Sequence, residues 1–113
     1  MEMQVIHLMD DVTCVRLDGR MDTLGVDQIE LKFSASAVAQ GRNTIVDLSQ
    51  VSFLTSMGIR LLIASARALQ LKGKKFVLFG ASELVLGILD TVALDQIVPI
   101  VATEQLAIQS INS

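Results

Sequence analysis

The chain contains no Trp and no Tyr, and its only aromatic residues are four Phe. A core must therefore be assembled from Leu, Ile, Val, Met and Ala. The single cysteine, Cys14, excludes an internal disulfide and a cysteine-based metal site. It lies within an apolar strand-like run and reads as a buried, inert thiol. The one histidine, His7, has no acidic or cysteine partner at metal-ligand spacing and reads as an ordinary strand residue. Neither a metal nor a cofactor is expected. Nine Lys and Arg against twelve Asp and Glu give a net charge of −3, with the bases thinly spread. Phosphate affinity needs clustered cations, so a nucleic-acid partner is not expected. No apolar run approaches the ~20 residues of a membrane span. The opening MEMQVIHLMDD carries acids and no basic stretch, so no secretory signal is read there and the cytoplasm is the default location.

What the sequence does contain is apolar periodicity of two kinds. The 113 residues suit one domain, taken as 1–113. Gln4–Met9 and Val12–Leu17 read as strands joined by a tight turn at Asp10–Asp11, with Gly19 closing the second. Asp22 or Thr23 can cap a first helix whose face is Val26, Ile29, Phe33 and Ala37, ending at Gly41. Asn43–Leu48 is a β-branched apolar run typical of a buried strand, and Ser49–Leu54 reads as a connector. From Ser56 the period becomes helical, with Ile59, Leu62, Ile63 and Ala66 on one face. Leu71-Lys72-Gly73 stops that helix. Lys75–Phe79 is a further strand, and Ser82 caps a helix with Leu84, Val85, Ile88 and Leu89 as its apolar face. Ile97–Val101 is a last strand, placed at an edge by the only proline, Pro99. Thr103 begins a final helix running to about Ile111. The order of elements predicts an α/β domain, a small mixed sheet of four to five strands backed by about four helices.

Enzymatic constellations do not assemble from these residues. Gly80-Ala81-Ser82 lacks the Gly-Lys-Ser/Thr of a phosphate-binding loop. Thr55-Ser56-Met57-Gly58 places a serine at a strand-to-helix corner but lacks the G-x-S-x-G pattern of a hydrolase elbow. The only candidate base, His7, has no identifiable orienting acid. By position alone Ser56 reads as a helix cap, satisfying amides that the first turn leaves unpaired. By position alone Asp22 reads as a helix cap. Phe53 is expected to lie buried beneath the Ser56 corner.

One stretch says more. Asp47-Leu48-Ser49-x-Val51-x-Phe53-Leu54-x-Ser56-x-Gly58 resembles the signature of STAS domains, in particular the bacterial anti-sigma factor antagonists. Gly19-Arg20-Met21-Asp22 resembles the family's glycine-acid-apolar-aspartate turn. Leu89-Asp90-x-x-Ala93-Leu94, then Ile97 and Pro99, resembles its C-terminal helix and last strand. Thr55 stands where the family often has an aspartate, and Met57 where it commonly has serine, threonine or alanine. The resemblance implies a STAS-like fold and no enzymatic activity. It implies phosphorylation at Ser56 and a partner-binding face made of Asp22, Thr55, Ser56, Met57, Gly58 and Arg60. The implied partners are an anti-sigma factor that is also a serine kinase, and a metal-dependent serine phosphatase that resets the switch. ATP and Mg²⁺ would belong to the kinase, and the chain itself would be a monomer or a weak dimer. In this picture Gly58 leaves room for the phosphate or partner. The alternative is a STAS subunit of a lipid or solute ABC transport complex, binding its partner without phosphorylation. A sensor-complex scaffold ranks behind both.

Overall fold

β-Branched and apolar residues at alternate positions make β1 (Glu2–Met9) and β2 (Val12–Met21) an antiparallel hairpin in the computed structural model, which describes residues 1–9 and 11–113. The turn expected at Asp10–Asp11 includes Asp10, which lies outside the described residues. Gly19 does not close β2. It adopts φ +122, a conformation that side chains resist, and the pairing with the next strand slips between Gly19 and Arg20. The strand bends there and continues to Met21.

β3 (Asn43–Leu54) is also longer than expected, because the Ser49–Leu54 stretch is strand rather than connector. It pairs in parallel with β2 along its length, including Arg20 with Phe53 and Met21 with Leu54. β4 (Phe76–Phe79) and the two-residue β5 (Ile100–Val101) complete a sheet of order β1-β2-β3-β4-β5, parallel from β2 onward. Pro99 sits just outside β5, and its carbonyl accepts from the Leu78 amide at 3.0 Å. β5 takes the expected edge position, but the strand expected over Ile97–Val101 is confined to Ile100–Val101 and begins only after Pro99.

α1 (Thr23–Phe33) runs into a π-helical turn over Ser34–Val38, so the regular helix ends well before Gly41. The expected face of Val26, Ile29, Phe33 and Ala37 is fully buried. α2 (Ser56–Leu71) buries Leu61, Leu62, Ala66 and Leu69, with Ile59 and Ile63 half-buried at its margin. The true face is thus turned slightly from the one expected. α3 (Glu83–Thr91) is capped by the Ser82 hydroxyl, which accepts from the Val85 amide at 3.3 Å. Val85 and Leu89 point inward, whereas Leu84 is 57% exposed rather than part of the core. α4 (Glu104–Asn112) starts at Thr103 as read from the sequence.

Two apolar clusters flank the sheet. On one face Leu17, Met21, Val46, Leu48 and Leu78 meet residues of α1, α2 and α3. On the other, Cys14, Ile45, Val77 and Phe79 meet Ala107 and Ile111 of α4. Burial there pushes the Cys14 thiol up to about 11, with Glu104 adding to the rise, so it stays protonated at neutral pH. The described residues comprise five strands and four α-helices, the α/β architecture that the order of elements predicted.

Candidate protein-docking face

The corner between β3 and α2 is fixed by a single carbonyl. Met21 O accepts from the Thr55 amide at 3.1 Å and from the Thr55 hydroxyl at 3.1 Å. This ties the end of β2 to the start of α2. Thr55 has extended backbone angles and is the residue that flanks the helix, and the Ile59 amide donates to its carbonyl at 3.0 Å. Ser56 is therefore the first helical residue and not the cap, which corrects the sequence reading. Its side chain is exposed. The Thr55 hydroxyl is engaged with Met21 and makes no capping bond to the first turn. The first amides of a helix have no acceptor within it.

Gly58 also departs from expectation. It is buried, and a Cβ there would lie 2.7 Å from both Leu54 Cδ1 and Met21 Cγ. The glycine lets α2 approach β2 and β3 closely, and the room it provides is occupied by those two side chains. It belongs under the face rather than on it.

Asp22 follows Met21 and caps α1: its Oδ1 accepts from the Gly25 amide at 2.8 Å. That amide, with Arg20 assisting, holds its carboxyl below the ordinary 3.8 despite an opposing effect of desolvation. The side chain is about one-third exposed, so capping and surface roles coincide. A folded-state pKa below the unfolded value means stability that is present above 3.8 and lost as pH falls through the folded pKa. Asp22→Asn keeps a capping oxygen but does not titrate there. In thermal melts the stability of wild type relative to this variant should be greatest near neutral pH and shrink on acidification below pH ~4. A difference that stays constant with pH would rule out this role for the carboxylate.

Arg60 is exposed one turn along α2. It lines a groove of about 300 Å³ between α2 and the α1–π-turn segment, together with Glu30, Ser34, Val38, half-buried Met57 and Ala64. Asp22, Thr55, Ser56 and Met57 thus gather at the corner, with Arg60 beside the groove and Gly58 beneath.

Sequence reading missed one pair. The Arg20 guanidinium lies 4.8 Å from the centre of the Phe53 ring, and its Nε is 3.4 Å from Asp22 Oδ2. Phe53 is half-exposed and supports Arg20, rather than lying buried beneath the corner. Only the cross-strand register of β2 and β3 puts the two together. His7 is placed far from this corner. It pairs with Thr13 and, through it, with the start of β3, whereas Ser56 follows the end of β3. His7 and Ser56 are therefore not brought together. Among the described residues no group of three or more His, Cys, Asp and Glu could hold a metal ion, and no helix is long and apolar enough to cross a membrane.

Residues 4–107 match the family model of the STAS domain. Among solved structures, an anti-sigma-factor antagonist (STAS) domain protein from Planctomyces limnophilus is 26% identical with a TM-score of 0.84, covering 96% of each chain. The Bacillus cell fate determinant SpoIIAA in its phosphorylated form is 26% identical with a TM-score of 0.71, over 96% of this chain and 98% of that one. Murine Slc26a9, an anion transporter, is 18% identical with a TM-score of 0.79 over 92% of this chain but 18% of its own, a likeness of fold.

Proposed function

The chain belongs to the STAS domain family, and from that premise we propose that it is an anti-sigma factor antagonist whose docking face is switched by phosphorylation of Ser56. Unphosphorylated, the face of Asp22, Thr55, Ser56, Met57 and Arg60 binds an anti-sigma factor with serine-kinase activity in the cytoplasm. The kinase brings ATP and Mg²⁺. Ser56 Oγ attacks the γ-phosphorus, the bond to the β–γ bridging oxygen breaks, and ADP leaves while a base of the kinase takes the hydroxyl proton. The phosphoserine carries ~1.5 to 2 negative charges onto a surface that must be desolvated for docking, and the complex separates. A serine phosphatase then restores the hydroxyl.

The observation that carries this reading is the exposure of Ser56 at the first position of α2, on a corner held from below by the Met21 carbonyl and the close approach at Gly58. A kinase can reach the hydroxyl without unfolding the helix. The resemblance to the phosphorylated form of SpoIIAA supports it further. The second reading, a STAS subunit of a lipid or solute ABC transport complex that binds its partner without phosphorylation, is compatible with the likeness of fold to a segment of Slc26a9.

The test mixes the chain with each anti-sigma-type serine kinase of its source organism and Mg–ATP, followed by intact-mass and peptide mapping. One phosphate on Ser56 and release of the kinase are expected. Ser56→Ala should remain bound in the presence of ATP, and Ser56→Asp should bind more weakly than wild type. Because Ser56 is not a cap, the alanine variant should keep its stability within ~0.5 kcal/mol, as exposed substitutions generally do. No phosphate on Ser56, with both variants binding as wild type does, would favour the transport reading instead.

A further inference from the structure

We propose that Arg60 captures the phosphate on Ser56 within the same chain, so that modification both adds a dianion to the docking face and withdraws the guanidinium which that face presents. The inference rests on the phosphorylation of Ser56 proposed above and assigns how the modified face is rearranged.

Ser56 and Arg60 are four residues apart on one helix, and both are exposed. On an α-helix that spacing places Cβ atoms about 5–6 Å apart on the same flank. An arginine side chain easily spans that distance, and its planar fork matches two phosphate oxygens. The order is also favourable, with the anion nearer the helix N-terminus and the cation following it.

The other guanidinium at the corner, that of Arg20, is already committed. Among the described residues the ion pairs join Arg16 to Asp47 and Glu104, Arg20 to Asp22, and Lys74 to Asp11, and Arg60 is in none of them. Arg20 is further fixed by its contact with the Phe53 ring. Glu30 shares the groove with Arg60 but does not come within ion-pair distance of it. Asp22 would repel a phosphate rather than hold it. Arg60 is thus the guanidinium at this corner that can turn to Ser56 without breaking a pair. In doing so it leaves the groove beside Glu30 and Met57, where a partner would otherwise meet it. Loss of docking then has two sources, a new negative charge and a missing positive one.

The test needs no kinase. Phosphoserine is installed at position 56 during synthesis, and the second ionisation of the phosphate is followed by ³¹P NMR. Pairing with a cation favours the dianion, so the wild-type phosphate should titrate below its value in Arg60→Gln by about 0.3 pH unit, the shift equivalent to an i,i+4 ion pair on a helix. Arg60→Lys should restore part of the shift. Unmodified Arg60→Gln, checked by thermal melting, should be as stable as wild type because the residue is exposed. Identical titrations of wild type and Arg60→Gln would overturn the inference, and so would a larger change on Arg20→Gln. Failure of every kinase to modify Ser56 would instead remove the switch while leaving the measured pairing intact, so the two failures are distinguishable.

Discussion

Gly25→Ala should lower the unfolding free energy by about 3 kcal/mol or more, at or beyond the upper end of overpacking costs. Against the roughly 5–15 kcal/mol that holds a domain of this kind together, that is a large fraction. An added Cβ would lie 2.0 Å from the Arg20 carbonyl oxygen and 3.3 Å from Asp22 Oδ1. The carbonyl is backbone of β2, registered against Phe53 of β3, and cannot rotate aside as a side-chain tip could. Alanine is favoured over glycine within a helix by about 1 kcal/mol, an effect of the opposite sign that the clash outweighs. Gly87→Ala isolates that smaller effect, since Gly87 is an exposed residue of α3 with nothing within 4 Å of its added Cβ. It should gain about 0.5–1 kcal/mol. Urea unfolding of both variants provides the check. A Gly25→Ala protein as stable as wild type would mean that β2 and α1 can separate here at little cost.

Phe33→Ala should cost about 3–5 kcal/mol, the usual range for removing a buried phenyl ring. Phe33 is wholly buried and meets the Phe76 ring edge-on, with centroids 6.4 Å apart. It joins the end of α1 to β4, and with no Trp or Tyr in the chain these two rings are the largest fully buried side chains. Phe53→Ala should cost far less, about 1 kcal/mol, chiefly through the lost contact with Arg20. Thermal and denaturant melts that ranked the two variants in the opposite order would show that the load-carrying aromatic lies at the corner instead of the core.

The contrast between these two phenylalanines shows where sequence is informative. Phe33 falls on a helical period with Val26, Ile29 and Ala37, and period alone predicts its burial. The caps at Ser82 and Thr103 are equally local, each acting on an amide three residues ahead. Phe53 lies where β2 and β3 slip in register, so simple alternation fails there. The cap at the start of α2 was misassigned by one residue for a related reason. Thr55 spends its hydroxyl on Met21, a residue 34 positions away, which no local pattern reveals. Gly58 looks from sequence like open space, because the side chains that fill it arrive from β2 and β3. Ser56 was legible as the candidate site through its motif. Its exposure and its place in the helix required the fold.

The hairpin at the front of the sheet has a consequence for how the protein keeps to itself. β5 offers only two residues to a neighbour, so the outer side of β1 is the long rim along which the sheet could grow. β1 has neither Lys nor Pro to discourage an added strand, and Val5, Ile6 and Leu8 are half-buried along it. The register slip between His7 and Met9 ends the regular pairing of this rim, which runs unbroken from Glu2 to His7. A slip of this kind twists the backbone away from a straight template and shortens the run available to another chain. Glu2 at one end and the slip at the other are thus the two features of β1 that oppose an added strand.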